Sequence, residues 1–150
     1  ILGGRESLDS KKIQKQEDLY TDPELAKRFV EDTKIDALAC SFGTAHGIYK
    51  TTPKLDFDRL MKIHALTSLP IVMHGGSGVS KPDYVRAIEC GIRKINYYSY
   101  AAREGVNATK KLIEENPSLT FFHEIAFEAT KAMEEDVGKA MDVFYFKKAD

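Results

Sequence analysis

Residues 69–78, Leu-Pro-Ile-Val-Met-His-Gly-Gly-Ser-Gly, carry the pattern that decides the fold. The first five of these residues are an apolar run, and a histidine and a glycine-rich turn follow directly. Short apolar runs that end in turn residues are typical of strands buried on both faces, as in parallel sheets. We therefore predict a buried strand over residues 69–73 and a loop that begins at His74.

The same pattern occurs on both sides of this strand. A short apolar run over residues 36–42 ends at Gly43, and another run covers residues 92–98. Apolar residues at helical spacing lie before, between and after the runs, and Asp22 followed by Pro23 predicts the cap and first position of a helix. Strands that alternate with helices indicate a parallel α/β fold. The helices are expected near residues 22–30, 55–65, 84–90, 101–115 and 123–146.

Three strand–helix units cannot close a barrel, because the (β/α)₈ form needs eight strands. An open three-stranded parallel sheet would leave two edges to protect. We therefore expect further strands upstream of Ile1, and the absence of an initiator Met agrees with this. A small, self-contained doubly wound domain is the alternative. Residues 5–18 are polar and lack periodicity, which predicts a mobile loop.

The composition is that of a globular protein, with 43% hydrophobic and 30% charged residues. A net charge of −1, from 22 basic and 23 acidic residues, gives no electrostatic footprint for nucleic acid or for an anionic membrane. Cys40 and Cys90 stand singly in apolar stretches, and no signal peptide or long apolar span is present. We therefore expect a cytoplasmic protein with buried, reduced thiols.

Candidate site residues follow each predicted strand, where the loops of parallel α/β folds build their sites. The loops read Gly43-Thr-Ala-His-Gly-Ile-Tyr-Lys50, His74-Gly-Gly-Ser-Gly78 and Asn96-Tyr-Tyr-Ser99. Glycine lets backbone N–H groups approach an anion, and hydroxyl and amide side chains add hydrogen bonds. Imidazole is a common metal ligand. The residues predict a phosphate pocket bordered by two imidazoles that can hold a metal ion.

In their order along the chain, these motifs resemble those of the class II fructose- and tagatose-bisphosphate aldolases. That resemblance implies a (β/α)₈ TIM barrel, of which this chain holds the last three strands and their helices. Residues 1–20 would be a flexible active-site loop, and residues 21–150 the C-terminal part of a single barrel domain. The motifs that carry the resemblance are Asp36-Ala-Leu-Ala, Gly43-Thr-Ala-His-Gly-Ile-Tyr-Lys50, Pro53-Lys-Leu-Asp-Phe57, residues 69–78 and Gly91-Ile-Arg-Lys-Ile-Asn96.

The same resemblance implies roles for individual residues. His46 and His74 match two zinc-binding histidines, and a monovalent cation such as Na⁺ or K⁺ is a further candidate ion. Glu6 matches a loop glutamate that acts as a base, while the third zinc histidine and the catalytic aspartate of the family fall outside this sequence. The residues that match the substrate-phosphate site are Gly47, Lys50, Gly75, Gly76, Ser77, Asn96, Tyr97, Tyr98 and Ser99.

One segment departs from the family pattern, which usually has small or acidic residues where Tyr97, Tyr98 and Tyr100 stand. These tyrosines either shape a pocket for a different aldehyde or pack behind the barrel. His64 and His123 have no motif around them, so we predict that both are structural residues on helix faces.

The implied activity is that of a glycolytic lyase in the full-length protein, while the 150-residue chain alone is expected to be inactive. It would cleave a ketose 1,6-bisphosphate to dihydroxyacetone phosphate and glyceraldehyde 3-phosphate. Fructose 1,6-bisphosphate is the first candidate substrate. The expected partners are a sugar-phosphate substrate and the N-terminal half of the barrel. We also expect further copies of the chain, in a homodimer or larger homo-oligomer. The alternatives are a tagatose-bisphosphate aldolase, a non-catalytic barrel that binds sugar phosphate and metal, and an assembly role of the terminal helices.

Overall fold

The computed structural model describes residues 20–49 and 52–145. Most of the predicted N-terminal loop, including Glu6, and also Lys50 lie outside the described residues. Within the described ranges, strands alternate with helices and two helices follow the last strand, as predicted. The elements are α1 (Pro23–Thr33), β1 (Leu38–Ala39), α2 (Phe57–Thr67), β2 (Ile71–Met73), α3 (Lys81–Glu89), β3 (Ile92–Ile95), α4 (Ser99–Glu115) and α5 (Phe122–Phe144).

The three strands form one parallel sheet in the order β1-β2-β3. Leu38 pairs with Ile71, and Ile71 pairs with Ile92, with a shift in register between Ile71 and Val72. Because all three strands run in the same direction, their carboxyl ends meet at one edge of the sheet. The parallel α/β architecture predicted from the sequence is therefore confirmed.

The strands β1 and β3 are shorter than predicted. The first apolar run remains buried as far as Phe42, but strand pairing stops at Ala39. Beyond that point Ser41 exchanges hydrogen bonds with Thr21, whose backbone N–H and side-chain oxygen replace a neighbouring strand. An apolar run predicts burial, but it does not predict which residues form hydrogen bonds with its backbone. Likewise β3 ends at Ile95, so that residues 96–98 form a loop and Ser99 already belongs to α4.

Helix α1 begins where the sequence predicts. Oδ1 of Asp22 accepts hydrogen bonds from the backbone N–H groups of Glu24 and Leu25, each at 2.9 Å, and Pro23 occupies the first turn. The cap satisfies donors that have no partner inside the helix. Helix α3 begins at Lys81, three residues before the predicted Tyr84, because Ser80 caps it and accepts from the N–H of Asp83.

The core of the β/α part lies between the sheet and its helices. α1 packs on α2, α2 on α3, and α3 on β3. Both cysteines are buried, as predicted, and burial raises the pKa of the Cys40 thiol to about 12, so that it stays protonated. The largest fully buried side chains are those of Phe42, Leu60, Ile63, Ile71, Met73 and Ile92.

The described residues fall into two compact units, one up to Asn96 and the other from Tyr97 onwards. In the second unit α4 packs against α5, and a Cβ added at Gly105 would lie 3.0 Å from Cγ of Met133. The small residue therefore lets the two helices approach closely. None of the helices in the described residues is long and apolar enough to cross a membrane.

Leu60→Ala should lower the free energy of unfolding by about 2–5 kcal/mol, because it removes a fully buried side chain and leaves a cavity. Leu25→Ala is the matched control, since Leu25 is also helical but 62% exposed, and its cost should stay within about 0.5 kcal/mol. Denaturant titration of both variants measures the difference. Equal costs for the two substitutions would contradict the described core.

Candidate functional site

Two histidine rings meet at the carboxyl edge of the sheet. His46 lies in the loop after β1 and His74 directly after β2. Nε2 of His46 is 3.3 Å from Nδ1 of His74, and the ring planes are inclined at 75°. The structure thus brings together the two residues that the sequence singled out as metal ligands.

The spacing of these nitrogens suits a shared metal ion. Two nitrogen ligands at the usual zinc distance of about 2.0–2.1 Å, separated by a tetrahedral angle, lie roughly 3.3–3.4 Å apart. The observed separation is 3.3 Å. Within residues 20–49 and 52–145, no group of three or more His, Cys, Asp or Glu residues could hold a metal ion. His46 and His74 therefore fit two of the four ligand positions of a tetrahedral zinc site.

The surroundings of His74 favour its neutral form. Partial burial lowers its pKa, and the positive charges of His46 and Lys94 lower it further. A neutral imidazole is the form that binds metal, so protons compete less with a metal ion at this ring than at an ordinary histidine. His46 is exposed and His74 half-buried, which leaves the pair accessible from solvent.

The side chain of Tyr49 forms hydrogen bonds with both histidine loops. Its hydroxyl accepts a hydrogen bond from the N–H of Ala45 at 2.9 Å and donates one to the carbonyl of Gly75 at 2.8 Å. Ala45 precedes His46 and Gly75 follows His74, so a single side chain fixes the backbone next to both rings. Tyr49 lies inside the Gly43–Lys50 motif, but the motif alone does not predict this role.

The glycines after β2 allow close packing of the loops. Gly75 has a φ of 63°, and a Cβ there would overlap the carbonyl of Ala45. A Cβ at Gly76 would lie 2.6 Å from Cγ2 of Ile95. Gly47 differs from these two glycines, because a Cβ added there would have no atom within 4 Å. Its φ of 104° nevertheless favours glycine. Gly75 and Gly76 therefore serve packing, and Gly47 serves backbone conformation.

Asn96 links the third strand end to His74. Its backbone N–H donates to the carbonyl of Met73 at 2.9 Å, and its carbonyl accepts from the N–H of Gly76 at 3.2 Å. The side-chain Nδ2 lies 2.9 Å from Nδ1 and 3.1 Å from Nε2 of His74. Lys94 donates from Nζ to Oδ1 of the same amide. The sequence predicted Asn96 as a phosphate ligand, and the structure places its amide beside the candidate metal ligand.

Lys94 is a further site residue that the sequence reasoning did not select. The sequence does carry a signal for it, because Lys94 in β3 is two positions before Asn96, and residues two apart in an extended chain project from the same face. Alone, a lysine on a strand is indistinguishable from a solvated surface charge.

The other predicted phosphate-site residues are distributed over both units. In the first unit Ser77 is buried and Gly47 exposed. In the second unit, Tyr97 donates its hydroxyl proton to Oδ2 of Asp136 at 2.7 Å, Tyr98 is 71% exposed and Ser99 begins α4. Glu6 and Lys50 lie outside the described residues.

The remaining histidines have structural contacts. His64 donates from Nδ1 to the carbonyl of Leu69 at 3.0 Å, and its ring occupies the space left by the missing side chain of Gly91. The ring of His123 stacks on that of Phe121 with centroids 5.6 Å apart and meets Phe127 edge-on. Both arrangements agree with the predicted structural roles.

A cavity of about 300 Å³ lies elsewhere in the first unit, around the start of α2. None of the predicted site residues lines it. The histidine pair thus stands at an open sheet edge and not inside this cavity. The lining residues are Tyr20, Lys54, Leu55, Asp56, Phe57, Asp58 and Arg86.

Comparison with protein families and solved structures gives consistent matches. The model of the family described as fructose-bisphosphate aldolase class-II matches residues 1–148. The YdjI aldolase from Escherichia coli K12 is 35% identical with a TM-score of 0.68, over 84% of this chain and 46% of its own. A putative fructose-1,6-bisphosphate aldolase from Coccidioides immitis is 32% identical with a TM-score of 0.70, over 83% of this chain and 43% of its own.

A third match supports the fold. Fructose-bisphosphate aldolase (Fba) from Campylobacter jejuni has a TM-score of 0.70 at 21% identity, over 85% of this chain and 46% of its own. This chain therefore spans less than half the length of each of the three proteins.

Gly75→Ala should push the His46 loop away from His74, because the new Cβ overlaps the carbonyl of Ala45. Overpacking of this kind costs about 1–3 kcal/mol in addition to backbone strain. Gly47→Ala is the control, since it strains a positive φ without a steric contact. Crystal structures and denaturant titrations of both variants test this. An unchanged separation of 3.3 Å between the ring nitrogens in Gly75→Ala would show the loop contact to be wrong.

Proposed function

Since the chain belongs to the class II fructose-bisphosphate aldolase family, we propose that the full-length protein is a metal-dependent lyase that cleaves a ketose bisphosphate. One observation carries the proposal, namely the 3.3 Å approach of imidazole nitrogens of His46 and His74 at neighbouring strand ends. The spacing and the lowered pKa of His74 both suit zinc.

The proposed reaction is the reversible aldol cleavage of fructose 1,6-bisphosphate to dihydroxyacetone phosphate and glyceraldehyde 3-phosphate. His46 and His74 would each present a neutral ring nitrogen to Zn²⁺, which supplies polarisation of the substrate carbonyl when bound. The remaining zinc ligand and an aspartate would come from strands of the full-length barrel. In the condensation direction, the Glu6 carboxylate would accept a proton from a carbon of dihydroxyacetone phosphate.

The glycine-rich loops would hold the substrate phosphate. Gly47 is exposed in open space, which suits close approach of an anion to the backbone. The N–H of Gly76 is already bonded to the carbonyl of Asn96, so it is not available to the phosphate. Gly75 and Gly76 would instead contribute mainly by letting the loops pack closely. Ser77 and Ser99 would add hydroxyls, and Lys50 a positive charge.

Substrate preference would depend on the tyrosine segment. Tyr97 contacts Asp136 and meets the ring of Phe144 at a centroid distance of 6.0 Å, within the second unit. These contacts favour the packing role for this tyrosine, while Tyr98 and Tyr100 would help to select between fructose and tagatose bisphosphates. We further propose a cytoplasmic, glycolytic homo-oligomer, with Na⁺ or K⁺ as an additional ion near the phosphate.

Assay of the intact, zinc-loaded protein tests this function. Release of dihydroxyacetone phosphate from fructose 1,6-bisphosphate should stop when a chelator removes the metal and return when zinc is added back. Tagatose 1,6-bisphosphate, assayed in parallel, identifies the preferred substrate. Zinc-dependent binding of dihydroxyacetone phosphate without cleavage of either bisphosphate would contradict the proposal and indicate a non-catalytic barrel.

His74→Ala in the intact protein should abolish zinc retention and turnover together, because a site that loses one of three protein ligands seldom keeps a catalytic metal. His123→Ala is the matched control, since that ring packs against the aromatic rings of Phe121 and Phe127. It should retain full zinc content and activity. Metal analysis after dialysis decides the matter, and a wild-type zinc content in His74→Ala would refute the ligand assignment.

A further inference from the structure

The side chain of Asn96 stands between a cation and a candidate metal ligand. Its Oδ1 accepts a hydrogen bond from Nζ of Lys94, and its Nδ2 faces the ring of His74. Lys94 lies in β3 and Asn96 directly follows that strand, while His74 follows β2, the strand paired with β3. The three side chains form a continuous polar connection across the edge of the sheet.

Lys94 determines which end of the amide faces His74. The lysine ammonium group has three donors and no acceptor, so it can bond only to the oxygen end of the amide. With Oδ1 held by Lys94, the nitrogen end must point to the other side, towards the imidazole. Without the lysine, the two orientations of the amide would differ much less in free energy.

The amide restrains the ring without occupying the nitrogen that faces His46. Nδ2 of Asn96 is almost equally far from the two ring nitrogens, at 2.9 Å and 3.1 Å. The in-plane lone-pair directions of those nitrogens diverge, so a donor close to both cannot lie along either and must lie over the ring face. The in-plane direction of Nδ1 therefore remains available towards Nε2 of His46, 3.3 Å away.

We propose that Lys94 is a positioning residue for the metal site, acting through the Asn96 amide to fix the orientation of the His74 ring. This inference rests on the proposed function, in which His74 binds zinc. Groups that orient a ligating histidine typically contribute 10–100-fold to metal affinity. Loss of Lys94 releases the amide, lets its oxygen turn to the ring and weakens the alignment of the two imidazoles.

The competing role for Lys94 is direct binding of the substrate phosphate by its charge. That role predicts a higher KM with unchanged zinc affinity and with no dependence on Asn96. The positioning role predicts weaker zinc binding that disappears when Asn96 is already absent. A double-mutant cycle separates the two roles.

The test measures zinc affinity of the intact protein by competition with a chelator, for the wild type, Lys94→Met, Asn96→Ala and the double variant. Arg93→Met is the matched control, because Arg93 is the neighbouring cation on β3 and bonds to the carbonyls of Ile88 and Ile92. Lys94→Met should bind zinc about 10–100-fold more weakly. Arg93→Met should bind as the wild type does, Lys94→Arg should restore most of the affinity, and the double variant should be no weaker than Asn96→Ala.

The ¹⁵N resonances of the His74 ring in the zinc-free protein give a second readout that does not depend on metal or turnover. They should shift in Lys94→Met and stay unchanged in Arg93→Met. Wild-type zinc affinity and ring resonances in Lys94→Met would overturn the inference, as would a further loss of affinity when Lys94→Met is added to Asn96→Ala. A wild-type protein that binds zinc but cleaves no bisphosphate would refute the proposed function alone.

Discussion

The parallel pairing of β1, β2 and β3 is the constraint on which the rest of the site depends. Ala39 pairs with Val72 and Met73 with Ile95, so the chain leaves all three strands at the same edge of the sheet. His46, His74 and Asn96 are far apart in sequence, and this register brings His46 and Asn96 each within hydrogen-bonding distance of His74. With antiparallel pairing, the ends of neighbouring strands would lie at opposite edges of the sheet.

The loops convert this edge into a defined site. Buried strands fix where each loop begins, while Gly75 and Gly76 remove the side chains that would hold the loops apart. The Tyr49 hydroxyl then joins the two loops through one accepted and one donated hydrogen bond. The separation of the ring nitrogens therefore depends on these loop contacts, which would hold the proposed metal-binding geometry before any ion binds.

The sequence predicted those features that depend on local chemistry. Asp22 and Pro23 mark the start of α1, and the alternation of apolar runs with helical spacing predicts the parallel sheet. Motif context singled out His46 and His74, whose ring nitrogens lie 3.3 Å apart in the structure. It did not predict where β1 and β3 end, because strand pairing depends on distant partners such as Thr21. The contacts of Tyr49 and Lys94 were missed for the same reason, since each depends on a loop or ring that only the folded chain brings near.

The central claim is that the His46 and His74 rings share one divalent ion, and anomalous diffraction at the zinc edge from crystals of the intact protein tests it most directly. The account predicts a single anomalous peak about 2.0–2.1 Å from Nε2 of His46 and from Nδ1 of His74. A zinc peak bound elsewhere, or two rings that turn away from each other in zinc-containing crystals, would contradict it.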